Sequence, residues 1–373
     1  MPPSGEAPFS PADERNTSPL DERGFSSLGE RGISPDSECS LSKNSITILS
    51  ISYMRRNLST LFLGAALLLA AATSSCTNEL PDGTACGDAA ISFRTPAVTR
   101  AAVEGDFPEG SQFSVWGWYT GENGSSNQPF DKVPVTNSNG TWSYTGGDRY
   151  WVLGAEYDFY AVYPAGLQNV DCTDRGVITV TGFDASKTGN EAVDLMTARK
   201  TGIQADENTV ASAVALEFGH ELARISLNVT SEGDAVTLTN VKLSGVSYKG
   251  NFDSSATPKW SNLTANTSDD GIFSADNVAL TTDALSASLF GGDLLLPPHD
   301  GLTGISLTFS YQYTDDVSQA FHEADLSLAT GQITAWSAGN HYNYTVNIPR
   351  NGTDVTLKVT VTDWTTEDYT VQW

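Results

Sequence analysis

Residues 305–313 read ISLTFSYQY, and every second side chain in this stretch is large and apolar. Ile305, Leu307, Phe309, Tyr311 and Tyr313 alternate with serine, threonine and glutamine. A period of two places the apolar side chains on one face of an extended backbone, whereas a helix needs a period near 3.6. The stretch therefore predicts a half-buried β-strand.

The same alternation recurs along most of the chain. It is found in residues 113–120 (FSVWGWYT), 157–164 (YDFYAVYP), 342–348 (YNYTVNI) and 355–361 (VTLKVTV). Turn-forming stretches such as NSNG, GGD, SEGD and RNGTD separate the runs, and no long segment has a helical period. Many short strands with regular turns predict an all-β protein built from sandwiches.

One apolar run changes face in the middle. Val214, Leu216 and Phe218 share one parity, but the next apolar set begins at Ala223 and continues through Ile225. A shift of one residue within a run indicates a bulge or a sharp bend. We place a domain boundary just before it, which predicts an N-terminal domain over residues 76–207 and a C-terminal domain over residues 208–373.

The first 75 residues have the composition of an extension followed by an export signal. Residues 1–53 are rich in Ser, Pro, Glu, Arg and Gly, which predicts disorder, unless translation starts at Met54. Residues 54–75 combine Arg55 and Arg56 with an apolar run at 58–72 that is too short to span a membrane. The run ends in TSSC, so we predict a lipoprotein signal peptide with acylation of Cys76; a plain cleavable signal is the alternative.

The net charge and the cysteines limit which partners and which covalent bonds we expect. The formal net charge is −25 without a basic patch, so the chain is repelled by nucleic acid, and no nucleic-acid partner is expected. Export permits a disulfide, and if Cys76 carries lipid, Cys86 and Cys172 are the candidates for a bridge.

No residue pattern points to catalysis. The four histidines have no second metal-type ligand at a useful spacing, and the nucleophile-elbow, zinc-protease and phosphate-loop motifs are missing. We therefore expect no enzyme, no metal and no cofactor. Trp116 and Trp118 share one face of their strand, which indicates packing against a neighbouring sheet or, alternatively, a platform for a sugar or protein.

Several segments together resemble one known family. They are ISFRTPAVTRA (91–101), FSVWGWYT (113–120), WSYTGGDRYWVLGAEYDFYAVYP (142–164), DLMTARKTG (194–202), VALEFGHELARISLNV (214–229), VKLSGVSYKGNFD (241–253), LLLPP (294–298), WSAGNHYNYTVNI (336–348) and VTVTDW (359–364). In this order, behind a lipoprotein signal, they are similar to the fimbrillin family of Bacteroides-type bacteria, which includes the Mfa-like proteins.

The resemblance implies two tandem β-sandwich domains of transthyretin-like type and a way of assembling. In members that polymerise, an Arg-specific protease cuts near the start of the mature chain, the first strand leaves, and a C-terminal strand of the next subunit replaces it. Arg100 is the first-choice cleavage site and Arg94 the second. Tyr369, Val371 and Trp373 alternate in the last segment and are the candidate donor side chains. Ordinary surface arginines and a terminal strand that completes its own sandwich are the alternatives.

The sequence thus favours a fimbrial subunit or fimbrillin-like surface lipoprotein. Its expected partners are other fimbrial subunits, self or homologous, the outer membrane through the lipid, and ligands on host or bacterial surfaces. The expected location is the outer membrane surface and the fimbrium, with shaft, tip and anchor roles all open. The alternative is a monomeric, surface-anchored binding module that never polymerises.

Overall fold

The computed structural model describes residues 86–96, 107–315, 320–331, 333–350 and 354–364, and for residues 86–88 it describes the backbone alone. Several predictions fall on residues outside these ranges and stay predictions. They concern the extension (1–53), the signal peptide (54–75), Cys76, Arg100, Tyr369, Val371 and Trp373.

The described residues form strands joined by turns, with one short 3-10 helix at Gly189–Glu191. In chain order the strands are β1 (Cys86–Ala90), β2 (Phe93–Arg94), β3 (Gln112–Thr120), β4 (Ser126–Ser138), β5 (Thr141–Tyr144), β6 (Tyr150–Val152), β7 (Glu156–Tyr163), β8 (Val170–Cys172), β9 (Ile178–Asp184), β10 (Met196–Gln204), β11 (Val214–Ala215), β12 (Phe218–His220), β13 (Ala223–Ser231), β14 (Val236–Ser244), β15 (Ser247–Asp253), β16 (Trp260–Ala265), β17 (Ser274–Ala275), β18 (Val278–Leu280), β19 (Ser286–Ser288), β20 (Leu294–Leu296), β21 (Ser306–Tyr313), β22 (His322–Ser327), β23 (Asn340–Ile348) and β24 (Thr356–Asp363).

The all-β prediction is confirmed, and the alternating runs are strands. Residues 305–313 supply β21, in which Leu307, Phe309 and Tyr311 are buried while the side chains between them are half-buried. The runs that begin at 113, 157, 342 and 355 also form strands, namely β3, β7, β23 and β24.

The N-terminal half is organised around a six-stranded sheet in the order β12-β10-β7-β3-β4-β5. All of its neighbouring strands are antiparallel. Two small pairings accompany it: β1 is antiparallel to β6, and β2 is parallel to β11. The first described strands thus contact this half through short ladders.

Three further sheets contain all the remaining described strands. Their orders are β16-β15-β9-β8, β17-β14-β21-β22 with β18 also on β14, and β19-β13-β23-β24 with β20 also on β13. Within the last sheet, β13 and β23 are parallel over eight residue pairs.

Two buried clusters lie on opposite faces of the six-stranded sheet. Phe113 and Phe159 point into the first core, which draws its members from residues 91–218. Trp116 and Tyr160, on the same two strands, point into the second and larger core, which extends to Trp364. Because both faces are covered, β3 is buried almost continuously rather than alternately.

The predicted bend at the phase break is present. His220 ends β12, which pairs with β10, and Ala223 begins β13, which pairs with β23. The chain therefore passes from one sheet to another within two residues. The domain boundary near residue 207 stays a prediction, and two pairings, β2 with β11 and β9 with β15, connect strands on either side of it.

Candidate assembly site

Residues 89–96, which we call the first-strand segment, enter the N-terminal core between short strands. β2 lies beside β11 with Phe93 opposite Val214 and Arg94 opposite Ala215. Such a two-residue parallel ladder is small beside the antiparallel ladders of the central sheet, because few backbone hydrogen bonds hold it.

The apolar side chains of this segment nevertheless lie deep in the core. Ile91 is 1% exposed and Phe93 is 3% exposed, so both point inward. The Phe93 ring makes edge contacts with Phe130 at 5.2 Å and Phe159 at 5.5 Å between ring centroids. It also contacts the rings of Phe113 and Tyr144. Phe93 is therefore the centre of an aromatic cluster that other strands surround.

The backbone of the segment is bonded on both sides. The N–H of Ile91 donates to the carbonyl of Arg149 at 2.7 Å, and the hydroxyl of Tyr144 donates to the carbonyl of Ile91 at 2.7 Å. On the other side, the N–H of Val214 donates to the carbonyl of Ser92 and that of Leu216 to the carbonyl of Arg94. The groove thus offers donors and acceptors that any extended strand would satisfy.

Apolar burial contributes most of the free energy that keeps the first-strand segment in the groove. Full burial of two large apolar side chains contributes roughly 1.5–3 kcal/mol each, and a net hydrogen bond adds about 1 kcal/mol. Removing Ile91 and Phe93 would open the aromatic core to water at comparable cost. A groove without Ile91 and Phe93 would favour the binding of another strand with alternating apolar side chains.

The two candidate cleavage arginines differ in their surroundings. The Arg94 side chain is exposed, but its carbonyl accepts the hydrogen bond from Leu216, so the backbone there is held in β2. Arg100 follows Pro96 and lies outside the described residues. The chain is described again at Phe107, which is 4% exposed and contacts Trp142 and Phe218.

The described chain ends in an edge strand. β24 pairs with β23 along its length, and among the described strands no other lies on its second edge. Beyond β24, Trp364 is 2% exposed, and its backbone N–H donates to the carbonyl of Gly339 at 2.8 Å. The candidate donor residues Tyr369, Val371 and Trp373 follow this fixed point.

The structure describes only one of the two side chains in the predicted Cys86–Cys172 bridge. Cys172 is buried, no disulfide to it is seen among the described side chains, and burial raises the pKa of its thiol to about 12. The side chain of Cys86 lies outside the described residues, so a bridge between the two stays a prediction.

Other polar side chains have local partners, and two of them, His220 and His299, line one cleft in the C-terminal half. His220 pairs with Asp194, with 3.0 Å between Nδ1 and a carboxylate oxygen. His299 is buried beside the Pro297 carbonyl, and burial lowers its pKa. Asp270 accepts backbone hydrogen bonds in an exposed turn, and these lower its pKa.

Neither a metal centre nor an open tryptophan platform is seen in the described part of the chain. The side chains described there include no group of three His, Cys, Asp or Glu that could hold a metal ion. Trp116 is 1% exposed within the second core, and Trp118 is half-buried against Tyr160. The packing interpretation of this pair is therefore the one that fits.

Sequence reasoning missed the partner of the first strand. β11 contains two residues, Val214 and Ala215, inside a run whose later part belongs to β12 and β13. The alternation marked Val214 as an inward residue but carried no information on which strand lies beside it. The contribution of Phe107 was missed too, since it stands alone between polar residues.

The sequence and the fold were compared with known proteins. The family model described as fimbrillin-like matches residues 99–364. A Bacteroides uniformis protein named "Putative fimbrium subunit Fim1C" is 30% identical over 234 residues, which are 62% of this chain and 69% of that protein.

Solved structures give weaker similarities. A fimbrial protein from Bacteroides vulgatus has a TM-score of 0.49 at 18% identity over 74% of this chain and 100% of that chain. A structure titled "putative cell adhesion protein" from Bacteroides uniformis has a TM-score of 0.48 at 20% identity over 77% of this chain and 100% of that one. Among the described residues, no helix has the length and hydrophobicity needed to cross a membrane.

Proposed function

Because the chain belongs to the fimbrillin-like family, we propose that it is a non-enzymatic subunit of a surface fimbrium that joins other subunits by strand exchange. The similarity to a relative named as a fimbrium subunit supports this role. In the proposed scheme, Cys76 carries the lipid that holds the exported precursor at the outer membrane.

One observation carries the proposal. Phe93 and Ile91 fill the centre of the N-terminal core, yet β2 is held there through a two-residue ladder. A strand with high burial and little pairing is exchangeable once the chain behind it is cut, because an incoming strand recovers both the burial and the hydrogen bonds. The alternating Tyr369, Val371 and Trp373 are the side chains proposed to replace it.

Limited digestion with an Arg-specific protease tests the exchange. We expect cleavage after Arg100, followed by a ladder of oligomers on a gel run without boiling. The variant Arg100→Ala should stay intact and monomeric. Arg94→Ala is the matched control and should still be cut and assemble, since the β2 backbone shields that bond.

Removal of residues 365–373 tests the donor. The truncated subunit should be cleaved normally but should not donate a strand, so alone it should stay monomeric. Mixed with intact subunits, it should accept a strand and limit growth to short oligomers. Thermal unfolding like that of the full chain would show that both cores remain folded. Long polymers from the truncated protein would contradict the donor assignment.

Replacement of Cys76 by Ser tests the lipid anchor. Metabolic labelling with an acyl analogue should mark the natural sequence and not Cys76→Ser. Label retained in the variant would contradict acylation at this residue.

The same digestion distinguishes a polymerising subunit from the alternative function. A chain that is cut after Arg100 and stays monomeric would be a surface-anchored binding module that retains the family fold. The edge strand β24, with Trp364 fixed at its end, fits both functions and does not decide between them.

A further inference from the structure

A cleft in the C-terminal half has no lining residue in the first-strand segment. It has a volume of about 590 Å³ and is lined by Glu221, Lys259, Trp260, Leu263 and Asp300, among others. Small-molecule sites typically have volumes of about 300–1,000 Å³ and combine apolar walls with a few polar groups. The cleft has both properties.

The local backbone turns Leu263, an apolar residue of the cleft lining, toward solvent. Leu263 is 41% exposed, one of few large apolar side chains on the described surface that reach this value. It lies on β16 beside Asn262, which has φ of 51°, and the pairing with β15 shifts register there. A bulge of this kind re-aims a side chain, and bulges are frequent next to binding sites.

The polar groups of the cleft are fixed before any ligand arrives. Lys259 Nζ lies 2.9 Å from one carboxylate oxygen of Glu221 and 3.1 Å from the other, and the Thr197 hydroxyl donates to the same carboxylate at 2.7 Å. The indole of Trp260 donates to the Glu221 carbonyl at 2.9 Å. The ammonium is half-exposed, so it keeps donor capacity toward the cleft.

A second part of the lining is also fixed by hydrogen bonds. The backbone N–H of Ser247 donates to His299 Nε2 at 2.8 Å, and His299 Nδ1 lies 2.8 Å from the Pro297 carbonyl. The ring is therefore neutral, with its proton on Nδ1. The next residue, Asp300, is exposed at the cleft and supplies a carboxylate acceptor.

This combination restricts the chemistry of a ligand. Two carboxylates and one ammonium line the cleft in a chain of net charge −25, so anions are disfavoured. A purely apolar molecule would cover the half-exposed Lys259 ammonium and the exposed Asp300 carboxylate without replacing the hydrogen bonds that water gives them. Sugars carry hydroxyls that both donate and accept, and their ring faces are apolar enough to pack on Leu263.

We propose that this cleft binds a neutral saccharide of one or two rings. The ring face would lie on Leu263, and hydroxyls would bond to the Lys259 ammonium and the Asp300 carboxylate. The site does not depend on strand exchange, so an uncut monomer should bind as well as a polymer.

Saturation-transfer NMR on the full uncut chain tests the site, with lactose, cellobiose and chitobiose as probes. At least one probe should receive saturation at its ring C–H protons. Leu263→Ala and Asp300→Asn should each weaken binding by about tenfold, equivalent to about 1.4 kcal/mol. Both positions are exposed, so neither change threatens folding, whereas loss of Lys259 would leave the buried Glu221 unpaired.

Val361→Ala is the matched control. Val361 is 39% exposed, close to the value for Leu263, but it lies on β24 and does not line the cleft. Binding should be unchanged in this variant. The proposal is overturned if none of the three sugars receives saturation, if a proline-rich peptide binds here in their place, or if the signals persist in both cleft variants.

Discussion

The indole ring of Trp364 stacks on the imidazole ring of His220, with 3.9 Å between centroids and 10° between planes. The two residues come from opposite ends of the C-terminal half, His220 from the end of β12 and Trp364 from just after β24. Arg224 lies near the same indole, with 5.9 Å from its guanidinium carbon to the ring centroid. Trp364 thus fixes the end of the last described strand to the bend between two sheets.

This contact predicts a large effect of Trp364→Ala on stability. Loss of a fully buried tryptophan typically lowers the free energy of unfolding by about 3–5 kcal/mol. Guanidinium denaturation followed by circular dichroism should show that loss. Trp364→Phe should cost less than half as much, because it keeps an aromatic ring and removes an indole N–H that has no hydrogen-bond partner among the described residues. Equal losses in the two variants would contradict the stacking argument.

Gly117 predicts a second sensitive position. A Cβ at this residue would lie 2.8 Å from the Phe159 ring and 3.2 Å from the Phe130 ring, both completely buried. Overpacking of this kind typically costs about 1–3 kcal/mol, so Gly117→Ala should lower the midpoint of denaturation. Gly166→Ala is the control, since a Cβ there meets nothing within 4 Å. Similar midpoints for the two variants would contradict this prediction, because they would show that the Phe159 and Phe130 rings shift at little cost in stability.

The buried ion pair between Arg224 and Asp293 predicts a contrast with surface pairs. Arg224 Nη2 lies 2.6 Å from Asp293 Oδ2, its side chain is 9% exposed, and the Ser226 hydroxyl bonds to the same carboxylate. Asp293→Ala should cost about 3–5 kcal/mol, because it removes the counter-charge of a buried guanidinium. Glu191→Ala, which breaks the exposed pair with Lys187, should change stability by less than about 0.5 kcal/mol in the same denaturation assay.

The fold class could be predicted from the sequence because alternation is local. The runs that became β3, β7, β21, β23 and β24 needed only the parity of their own apolar residues. Even the bend after His220 was visible as a change of parity. The double burial of β3 was indicated too, since Trp116 and Phe113 are both too large and apolar to leave one face to solvent.

The candidate sites could not be predicted from the alternation of apolar residues. The parallel partner of β2 is more than a hundred residues away, and nothing in Val214 marks it as that partner. The cleft depends on a register shift beside Asn262 and on Lys259 reaching Glu221, both of which arise from tertiary packing. Alternation predicts which face is buried, but it does not predict which strands become neighbours.

Burial of Cys172 and Tyr344 predicts a loss of stability at alkaline pH. Burial raises the pKa of each group to about 12, from ordinary values of 9.0 for the thiol and 10.0 for the phenol. Above pH 9 the unfolded chain releases these protons while the folded chain keeps them, so the free energy of unfolding falls as pH rises toward 12. The stabilisation is fully present below pH 9. Denaturation midpoints measured from pH 7.5 upward should therefore decline from about pH 9.

Cys172→Ala isolates the thiol contribution. Without the thiol, the decline should begin about one pH unit higher, where tyrosine ionisation takes over. The same raised pKa predicts that native Cys172 reacts with Ellman's reagent only after denaturation. A midpoint curve for Cys172→Ala that overlays the natural protein, together with rapid labelling of the native thiol, would show that Cys172 is solvated and that its pKa lies near the ordinary value.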